Sequence, residues 1–187
     1  MTIQSDKWIK MMAQEYKIIE PFSEEQVSQG TISFGPSSYG YDIRLADEFK
    51  LLKSSRPETI VDPKNLDPEL FSFARGDYFI LPGHSLCLTR SLEYLRIPRN
   101  VLALCTGKST YARCGILINI TPLESEWEGF ITMAVSNISP LPVKIYAGEG
   151  IAQVLFLAGD QPCGISYADR KGKYQASKGI TEAKVSS

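Results

Sequence analysis

The chain has 187 residues, of which 43% are hydrophobic and 22% are charged, a composition that suits one domain with a substantial core. There are 20 Lys and Arg against 21 Asp and Glu, so the formal net charge of -1 excludes a general attraction to nucleic acid or to an anionic membrane, and any basic site must be local. No apolar run is long enough to span a membrane, the first residues lack the apolar core of a signal peptide, and the four cysteines form no Cys-x-x-Cys motif, which together predict reduced thiols in a cytoplasmic protein.

A helix is predicted near the N-terminus. Trp8 and Met12 follow helical spacing, and Ser5 is a suitable N-cap residue, so the pattern predicts a helix over roughly residues 6–16. We assign residues 1–30 to an N-terminal helical segment within a single domain that spans residues 1–187.

Two strands are predicted after the helical segment. The first is the run Thr-Ile-Ser-Phe at residues 31–34. The second covers residues 41–45, where Tyr, Ile and Leu alternate with Asp42 and Arg44, so that the two charged side chains share the opposite face. Asp42 and Arg44 could form a buried pair, or Arg44 could contact a neighbouring subunit, and the sequence leaves both alternatives open.

The remainder of the chain predicts an all-β domain. Residues 49–70, which include Arg56-Pro57, are dominated by prolines and charges and predict an irregular excursion. Short apolar runs then recur between Gly, Pro and Asn, at residues 78–81, 86–88, 101–105, 116–120, 130–135, 143–146 and 151–157. Regular short strands without long helical periodicity predict a sandwich or barrel. The polar tail over residues 169–187 is predicted to be flexible.

The most unusual stretch is Gly-Lys-Ser-Thr-Tyr-Ala-Arg-Cys-Gly at residues 107–115, which lies between two apolar runs. Its backbone donors, its hydroxyls and its two cations, Lys108 and Arg113, could all face one anion. The alternative is a basic connector between two strands, and composition does not separate the two interpretations. A Walker A phosphate loop is a poor fit, because Leu102 stands where that motif requires its first glycine.

The sequence supports neither a catalytic zinc site nor a Ser-His-Asp triad. The one histidine, His84, lies in a Pro-Gly-His-Ser segment and has neither the spacing of a zinc nucleobase deaminase nor a nucleophile elbow beside it. No His and Cys cluster could close a zinc site. Any hydrolysis is therefore expected to rely on carboxylates, hydroxyls and arginine.

Candidate carboxylates occur at every second position before the strand predicted in the segment 130–137. Glu124, Glu126 and Glu128 would share one face of an extended segment. They could act as acid–base groups or simply form a solvent-exposed edge, and Trp127 could anchor the loop. The strand itself would place Ile, Met and Val in the core and would present small polar residues as the wall of a ligand pocket. Nothing on that wall can take up a proton from water.

Together these motifs resemble the dCTP deaminases of the dUTPase-like superfamily. The resemblance runs over most of the chain, with its blocks in one order. They are Ser-Ser-Tyr-Gly-Tyr-Asp at 37–42, the segment 107–115, Thr-Pro-Leu-Glu at 121–124, Glu-Trp-Glu-Gly at 126–129, Ser-Asn at 136–137, Pro-Leu-Pro at 140–142, Lys-Ile-Tyr at 144–146, Glu-Gly-Ile-Ala-Gln at 149–153, and residues 166–174.

The resemblance implies a distorted β-barrel or jelly roll that assembles as a homotrimer with active sites shared between neighbouring subunits. It implies hydrolysis of dCTP to dUTP and ammonia in pyrimidine deoxynucleotide biosynthesis. A glutamate would activate the water, and a serine, an arginine and a main-chain carbonyl would orient it. No zinc is implied; Mg²⁺ would bind through the triphosphate, dTTP is a candidate inhibitor, and the C-terminal tail would fold over the triphosphate.

The functional positions of the family carry over to this chain by resemblance, residue by residue. The phosphate- and water-handling stretch matches Lys108, Ser109, Thr110, Tyr111, Ala112 and Arg113, with Ser109 and Arg113 beside the catalytic water. The main-chain carbonyl and the strand that reads the cytosine edge match Pro122, Thr132 and Met133. Contacts to the nucleotide and its triphosphate match Gln153, Tyr167 and Lys173.

Two positions depart from the family pattern. Ala134 stands where the catalytic glutamate belongs, and Ser177 stands where the tail glutamine belongs. A general acid–base group typically contributes about 10²–10⁴-fold to a rate, so the resemblance predicts a deaminase that binds its nucleotide with little or no turnover. The alternatives are a catalytically silent trimer that binds dCTP or dTTP, and a dUTP-hydrolysing relative that would use Glu124 or Glu126.

Overall fold

The computed structural model describes residues 2–53 and 58–185, and within them the chain is mostly strand. The strands are β1 (Thr2–Ile3), β2 (Ile19–Glu20), β3 (Gly35–Ser37), β4 (Gly40–Leu52), β5 (Phe71–Arg75), β6 (Tyr78–Leu81), β7 (Ser85–Arg96), β8 (Val101–Gly107), β9 (Ile116–Asn119), β10 (Glu128–Asn137), β11 (Val143–Tyr146) and β12 (Gly150–Ala158). The helices are α1 (Asp6–Tyr16), α2 (Ser109–Ala112) and a 3-10 turn (Pro68–Leu70). In the part of the chain that is described, no helix has the length and apolar character needed to cross a membrane.

Ten of the strands form one curled sheet, whose main path runs β1-β12-β4-β7-β10-β9, while β6 and β11 form a separate pair. Strand β4 pairs with β12 over residues 41–44 and with β7 over residues 45–51, so it passes from one half of the sheet to the other. The named strand pairings are antiparallel. This architecture confirms the prediction of an all-β fold in the form of an incomplete barrel.

Strand β10 separates the core from the pocket side. Ile131, Met133 and Val135 are at most 1% exposed and belong to one hydrophobic core cluster with residues of β4, β12 and α1. The residues between them are only partly buried. The alternation predicted for this strand is therefore confirmed, and it directs the side chains of Thr132 and Ala134 away from the core.

The predicted helix over residues 6–16 is confirmed with those bounds. Ser5 occupies the N-cap position with an extended backbone, but its side chain makes no capping hydrogen bond. Ile9 and Ala13 lie on the buried face of the helix. Packing of this face against the core, and not the expected side-chain cap, therefore stabilises the helix.

The strand predicted at residues 31–34 is wrong. Regular pairing begins only at β3, and Phe34 makes an isolated bridge with Val27. The backbone of Ile32 is engaged elsewhere, because its N–H donates to the carboxylate of Glu149 and its carbonyl accepts from the N–H of Gly150. Hydrogen bonds to residues at the start of β12 therefore replace the strand pairing that the apolar pattern predicted.

The irregular excursion predicted over residues 49–70 begins later than expected. Strand β4 continues to Leu52, and over residues 49–51 it pairs with both β5 and β7. Residues 58–67 contain no helix or strand, as predicted, whereas Arg56-Pro57 lies outside the described residues. Strand β5 was not predicted: its alternation is limited to Phe71 and Phe73 around Ser72, and none of its residues is buried.

Asp42 and Arg44 have separate partners, so the buried pair between them is wrong. The Oδ2 atom of Asp42 lies 2.5 Å from Nζ of Lys108, and Nε of Arg44 lies 2.7 Å from Oε1 of Glu93. The side chain of Glu93 is fully buried and also accepts from the N–H of Arg44. Asp42 and Arg44 therefore tie β4 to two different neighbours.

Candidate functional site

A pocket of about 480 Å³ lies between β10, the segment that follows β9, and the C-terminal tail. Six of the residues predicted to form the site line it, namely Pro122, Thr132, Ala134, Tyr167, Lys173 and Ser177. They come from three segments that are distant in the chain. The structure therefore brings together six of the fourteen site residues that the resemblance implied.

The floor of this pocket is the outward face of β10. Ala134 pairs with Asn119 of β9 on one side and with Leu88 of β7 on the other, and all three line the pocket. Met133 faces the core and is fully buried, so only its backbone is available to a ligand on this side. Among the described residues, the centre of this floor consists of the small side chains of Thr132 and Ala134 and of peptide groups, and it carries no acid–base side chain.

One carboxylate reaches the pocket. Among the described residues that line it, Glu124 is the only Asp or Glu, and its carboxylate forms an ion pair with Arg170 of the tail. Both side chains are about half exposed, so the pair sits at the mouth rather than on the floor. A general base in the pocket would have to be Glu124 or a group brought by the ligand or by another chain.

The three glutamates predicted to share one face do not do so. A turn closes at this point, where the N–H of Trp127 bonds to the carbonyl of Glu124 and Glu126 adopts a φ of +61°. Each carboxylate then meets a different arginine: Glu124 with Arg170, Glu126 with Arg99 and Glu128 with Arg96. The expected anchoring role of Trp127 is confirmed, since its ring is 7% exposed and its Nε1 donates to the carbonyl of Tyr174.

The central basic stretch forms the short helix α2 at a different place from the pocket. Residues 108–113 contribute nothing to the pocket lining. Ser109, Thr110, Ala112 and Arg113 are exposed, and Nη1 of Arg113 contacts only the carbonyl of Ser109 within the described part of the chain. The hydroxyls and the guanidinium therefore point outward, where they are free to meet an anion or another chain.

Lys108 does not share this outward orientation. Besides the ion pair with Asp42, its Nζ contacts Oγ of Ser33 at 3.1 Å, and its side chain is only 12% exposed. Gln153, which was also predicted to contact the nucleotide, donates to Oγ of Ser37 and to Oδ1 of Asp42. The charge of Lys108 is therefore largely balanced inside the protein, and this polar cluster fixes the start of α2.

Tyr111 anchors α2 to the body of the protein. Its ring is 3% exposed, and its hydroxyl accepts a hydrogen bond of 3.0 Å from the N–H of Tyr146 on β11. Burial raises the pKa of this phenol to about 12, so it remains protonated near neutral pH. Its role in this chain is to position the turn rather than to transfer protons.

The tail docks on the same side of β10 as the pocket. The N–H of Phe130 donates to the carbonyl of Ser177, and the N–H of Ala176 donates to the carbonyl of Glu128. Gln175 adds a side-chain contact to the carbonyl of Glu126. These contacts extend the sheet by a short parallel bridge, and the tail becomes one wall of the pocket.

The combined arrangement suits recognition of a flat polar ligand more than proton transfer. Aromatic and aliphatic walls surround the hydroxyl of Thr132, the backbone of β10 and the ammonium of Lys173. Within the described residues, no group of three or more His, Cys, Asp or Glu side chains is placed to hold a metal ion. Pockets of this kind bind small molecules through apolar area and a few placed polar groups.

Residues 3–159 match a family model described as dCTP deaminase-like. The chain is 57% identical over 189 residues to a dCTP deaminase of Herminiimonas arsenicoxydans and 56% identical over 190 residues to one of Burkholderia cenocepacia (strain HI2424), covering 99% of this chain and 100% of each relative. Its fold is similar to the crystal structure of 2'-deoxycytidine 5'-triphosphate deaminase from Agrobacterium tumefaciens, with a TM-score of 0.62 at 15% identity. That alignment covers 84% of this chain and 48% of the other, so the chain spans about half the length of that structure.

Proposed function

The chain belongs to the dCTP deaminase-like family, and on that basis we propose that it is a dCTP deaminase, which hydrolyses dCTP to dUTP and ammonia. The observation that carries the proposal is the pocket against β10, in which Thr132 and Ala134 lie side by side with tail residues opposite. We further propose that turnover is much reduced, because Ala134 offers no proton acceptor at the position of the family's glutamate.

The proposed roles follow from position. The backbone of Thr132 and Met133 reads the cytosine edge, the carbonyl of Pro122 orients the attacking water, and Tyr167 and Lys173 contact the nucleotide and its triphosphate. Water adds to C4 of the ring, the C–N bond to the amino group breaks, and a proton from the water leaves with ammonia. A general base would carry that proton, and the described floor of the pocket supplies none.

We propose that the site is completed by a second copy of the chain in a homotrimer. The support is the separation of the two groups of predicted site residues, since Ser109 in α2 and Arg113 directly after it are exposed and neither of them lines the pocket. In the shared arrangement, α2 of one subunit presents Ser109 and Arg113 to the water and phosphates in the pocket of its neighbour. Arginine and serine are suited to hold an oriented water beside an anionic ligand.

Mixing two inactive forms tests this sharing directly. The unaltered chain supplies Arg113 but no base, and an Arg113→Ala/Ala134→Glu double variant supplies a base but no arginine. We expect neither form to release ammonia quickly alone, and co-expressed mixed trimers to do so. Inactive mixtures that sediment as trimers would contradict a shared site, and a monomeric mass would contradict the trimer.

The main test of the function is the substitution Ala134→Glu. We expect ammonia release from dCTP to rise by about 10²-fold or more, because the carboxylate would restore the missing general base. Ala134→Gln is the matched control, since it adds the same volume without a proton acceptor and should leave the rate low. If the glutamate variant folds, binds dCTP and releases no more ammonia than the control, the proposed function is wrong.

The same assay tests two alternative functions of the chain. Ala134 in the pocket also fits a silent trimer that binds dCTP or dTTP, and tight binding without ammonia from either form would support it. Pyrophosphate released from dUTP by the unaltered chain would support a dUTP-hydrolysing relative that uses Glu124 at the pocket mouth.

Three further features belong to the proposal. Mg²⁺ arrives with the triphosphate as part of the substrate, so no protein ligands are assigned to it. dTTP competes for the same pocket as an inhibitor. The protein acts in the cytoplasm, in keeping with its four free cysteines, since disulfides are rare in reducing compartments.

A further inference from the structure

The side-chain amide of Asn119 lies beside Ala134 on the pocket side of the sheet. Asn119 is the last residue of β9, it is exposed, and it lines the pocket. It stands directly opposite Ala134 in the antiparallel pairing of β9 with β10. Residues opposite each other in such a pair share one face of the sheet, with their Cβ atoms about 4.5–5.5 Å apart. The amide therefore reaches the space above Ala134.

Most charged or hydroxyl groups near this amide are already engaged within the protein. Four polar side chains that line the pocket have partners in the same chain, namely those of Glu124, Thr132, Tyr167 and Lys173. Asn119 and Thr121 differ, because their side chains bond to no other described residue of the pocket lining. Thr121 lies beyond the end of β9 and outside its pairing with β10. Asn119 is therefore the polar side chain best placed to bond a ligand beside Ala134.

The chemistry of an amide suits either kind of pyrimidine. The proposed function places C4 of the ring, where water adds, next to position 134. The substituent on C4 is an amino group in dCTP and a keto oxygen in dUTP and dTTP. An asparagine side chain has two N–H donors and one carbonyl acceptor and can turn over, so it can accept from the amino group or donate to the keto oxygen.

We propose that Asn119 forms a hydrogen bond with the 4-substituent of the bound pyrimidine nucleotide and that its amide admits both amino and keto rings. This inference rests on the proposed function, which supplies the nucleotide and its orientation. It gives dCTP and dTTP one shared contact in the pocket. It also identifies a specificity-determining residue on β9, outside the segments that the resemblance assigned to the site.

The substitution Asn119→Asp tests the contact by removing the donors and keeping an acceptor. At pH 8 the carboxylate is ionised, so it accepts from the amino group of dCTP and repels the keto oxygen of dUTP. We expect the ratio of the Kd for dUTP to the Kd for dCTP to rise about tenfold or more. Isothermal titration calorimetry measures both values, with α,β-imido analogues that resist hydrolysis of the triphosphate.

Ser136→Asp is the matched control for the added charge. Ser136 lies on the same face of β10, two residues beyond Ala134, and it does not line the pocket. A carboxylate there weakens the binding of both anionic nucleotides through the same repulsion. The ratio of the two Kd values should therefore stay as it is in the unaltered chain.

A ligand that lacks the 4-substituent isolates the hydrogen bond itself. Asn119→Leu removes donors and acceptor at similar size, and we expect it to raise the Kd for dCTP and for dUTP about three- to tenfold. The 2-pyrimidinone deoxynucleoside triphosphate has only hydrogen on C4, so its Kd should change less than about twofold. Circular dichroism of the variant checks that the fold is kept.

The possible results separate this contact from the function it rests on. If the unaltered chain binds dCTP and Asn119→Asp leaves the ratio unchanged or lowers it, the inference is wrong and the proposed function stands. Equal losses of dCTP and of the 2-pyrimidinone ligand in Asn119→Leu would also overturn the contact. If neither the unaltered chain nor any variant binds a pyrimidine nucleotide, the proposed function is wrong and this inference is wrong with it.

Discussion

At the scale of single residues, Glu48 shows how ion pairs of this fold respond to pH. Its Oε2 lies 2.9 Å from Nε of Arg90, and it also pairs with Arg75. The hydrogen bond from Arg90 is the main cause that lowers the pKa of Glu48 from its ordinary 4.5, and Arg75 adds to it. Because the folded state binds the proton more weakly than the unfolded state, this stabilisation is complete above pH 4.5 and is lost as the pH falls through the lower, folded value.

We therefore expect Glu48→Gln to lower the free energy of unfolding by about 1 kcal/mol at pH 7. The difference from the unaltered protein should shrink as the pH falls from 4.5 through the lower, folded pKa of Glu48, since a protonated glutamate carries no more charge than glutamine. Urea unfolding at several pH values measures it. Glu15→Gln, on the exposed face of α1, is the control and should show little difference. A gap that stays constant from pH 7 to pH 3 would contradict the assignment.

The sequence predicted pocket residues where the alternation of side chains along a strand was enough to place them. It missed residues whose position depends on contacts between distant parts of the chain. Alternation along β10 was enough to place Thr132 and Ala134 on the pocket wall. It failed at Glu126, whose left-handed backbone breaks the extended segment, because a glutamate gives no signal for that conformation. Thr181 and Gln175 were missed, since nothing local in a polar tail indicates which distant strand it will meet.

At the scale of elements, the docking of the tail depends on Gly129. This residue has a φ of +147°, and a Cβ there would lie 2.9 Å from the backbone nitrogen of Ser177 and 3.1 Å from the ring of Trp127. Only glycine adopts this conformation readily and lets the tail approach β10 so closely. The parallel bridge between Gly129 and Ser177 therefore requires a residue without a Cβ at position 129.

We expect Gly129→Ala to release the tail and to destabilise the fold by about 1–3 kcal/mol. Limited trypsin digestion should then cleave faster at Arg170, Lys171 and Lys173, as followed by mass spectrometry. The control is Gly179→Ala, because a Cβ at that position meets nothing within 4 Å. Equal cleavage of the two variants would show that close approach at Gly129 does not hold the tail.

Most strands could be predicted from the sequence, and the exceptions have physical causes. Strand β7 was predicted only at residues 86–88, because polar and charged residues interrupt the apolar pattern of its second half, although Glu93 and Ser91 there are fully buried. Their burial depends on partners elsewhere in the chain, such as Arg44 for Glu93 and the N–H of Ile131 for Ser91. Hydrophobic periodicity cannot report a polar residue whose hydrogen bonds are all made inside the protein.

At the scale of the whole molecule, the reactivity of the cysteine thiols indicates how often the folded protein opens. Burial raises the pKa of Cys87 and of Cys105 to about 12, whereas Cys114 is exposed after α2. Only the thiolate reacts, and a pKa of about 12 leaves roughly one part in 10⁴ ionised at pH 8. The reactivity of Cys87, which is buried, and of Cys105, which is partly buried, therefore depends on opening of the sheet.

We expect iodoacetamide at pH 8 to label Cys114 quickly and to leave Cys87 and Cys105 unmodified while the protein is folded. In urea all three should react at similar rates, and peptide mass spectrometry distinguishes them. A Cys114→Ser variant is the control for labelling at the exposed position. Rapid labelling of Cys87 in the native protein would show that the core opens far more often than its packing allows.

The anchoring of α2 through Tyr111 has a consequence for redesign. The buried ring of Tyr111, its hydrogen bond to the backbone of Tyr146 and the ion pair of Lys108 with Asp42 fix the segment, while the side chains at the exposed positions pack against nothing in the core. Substitutions at positions 109, 110 and 113 can therefore change the charge pattern of this turn while the strands beneath keep their places, provided that the lysine and the tyrosine are retained.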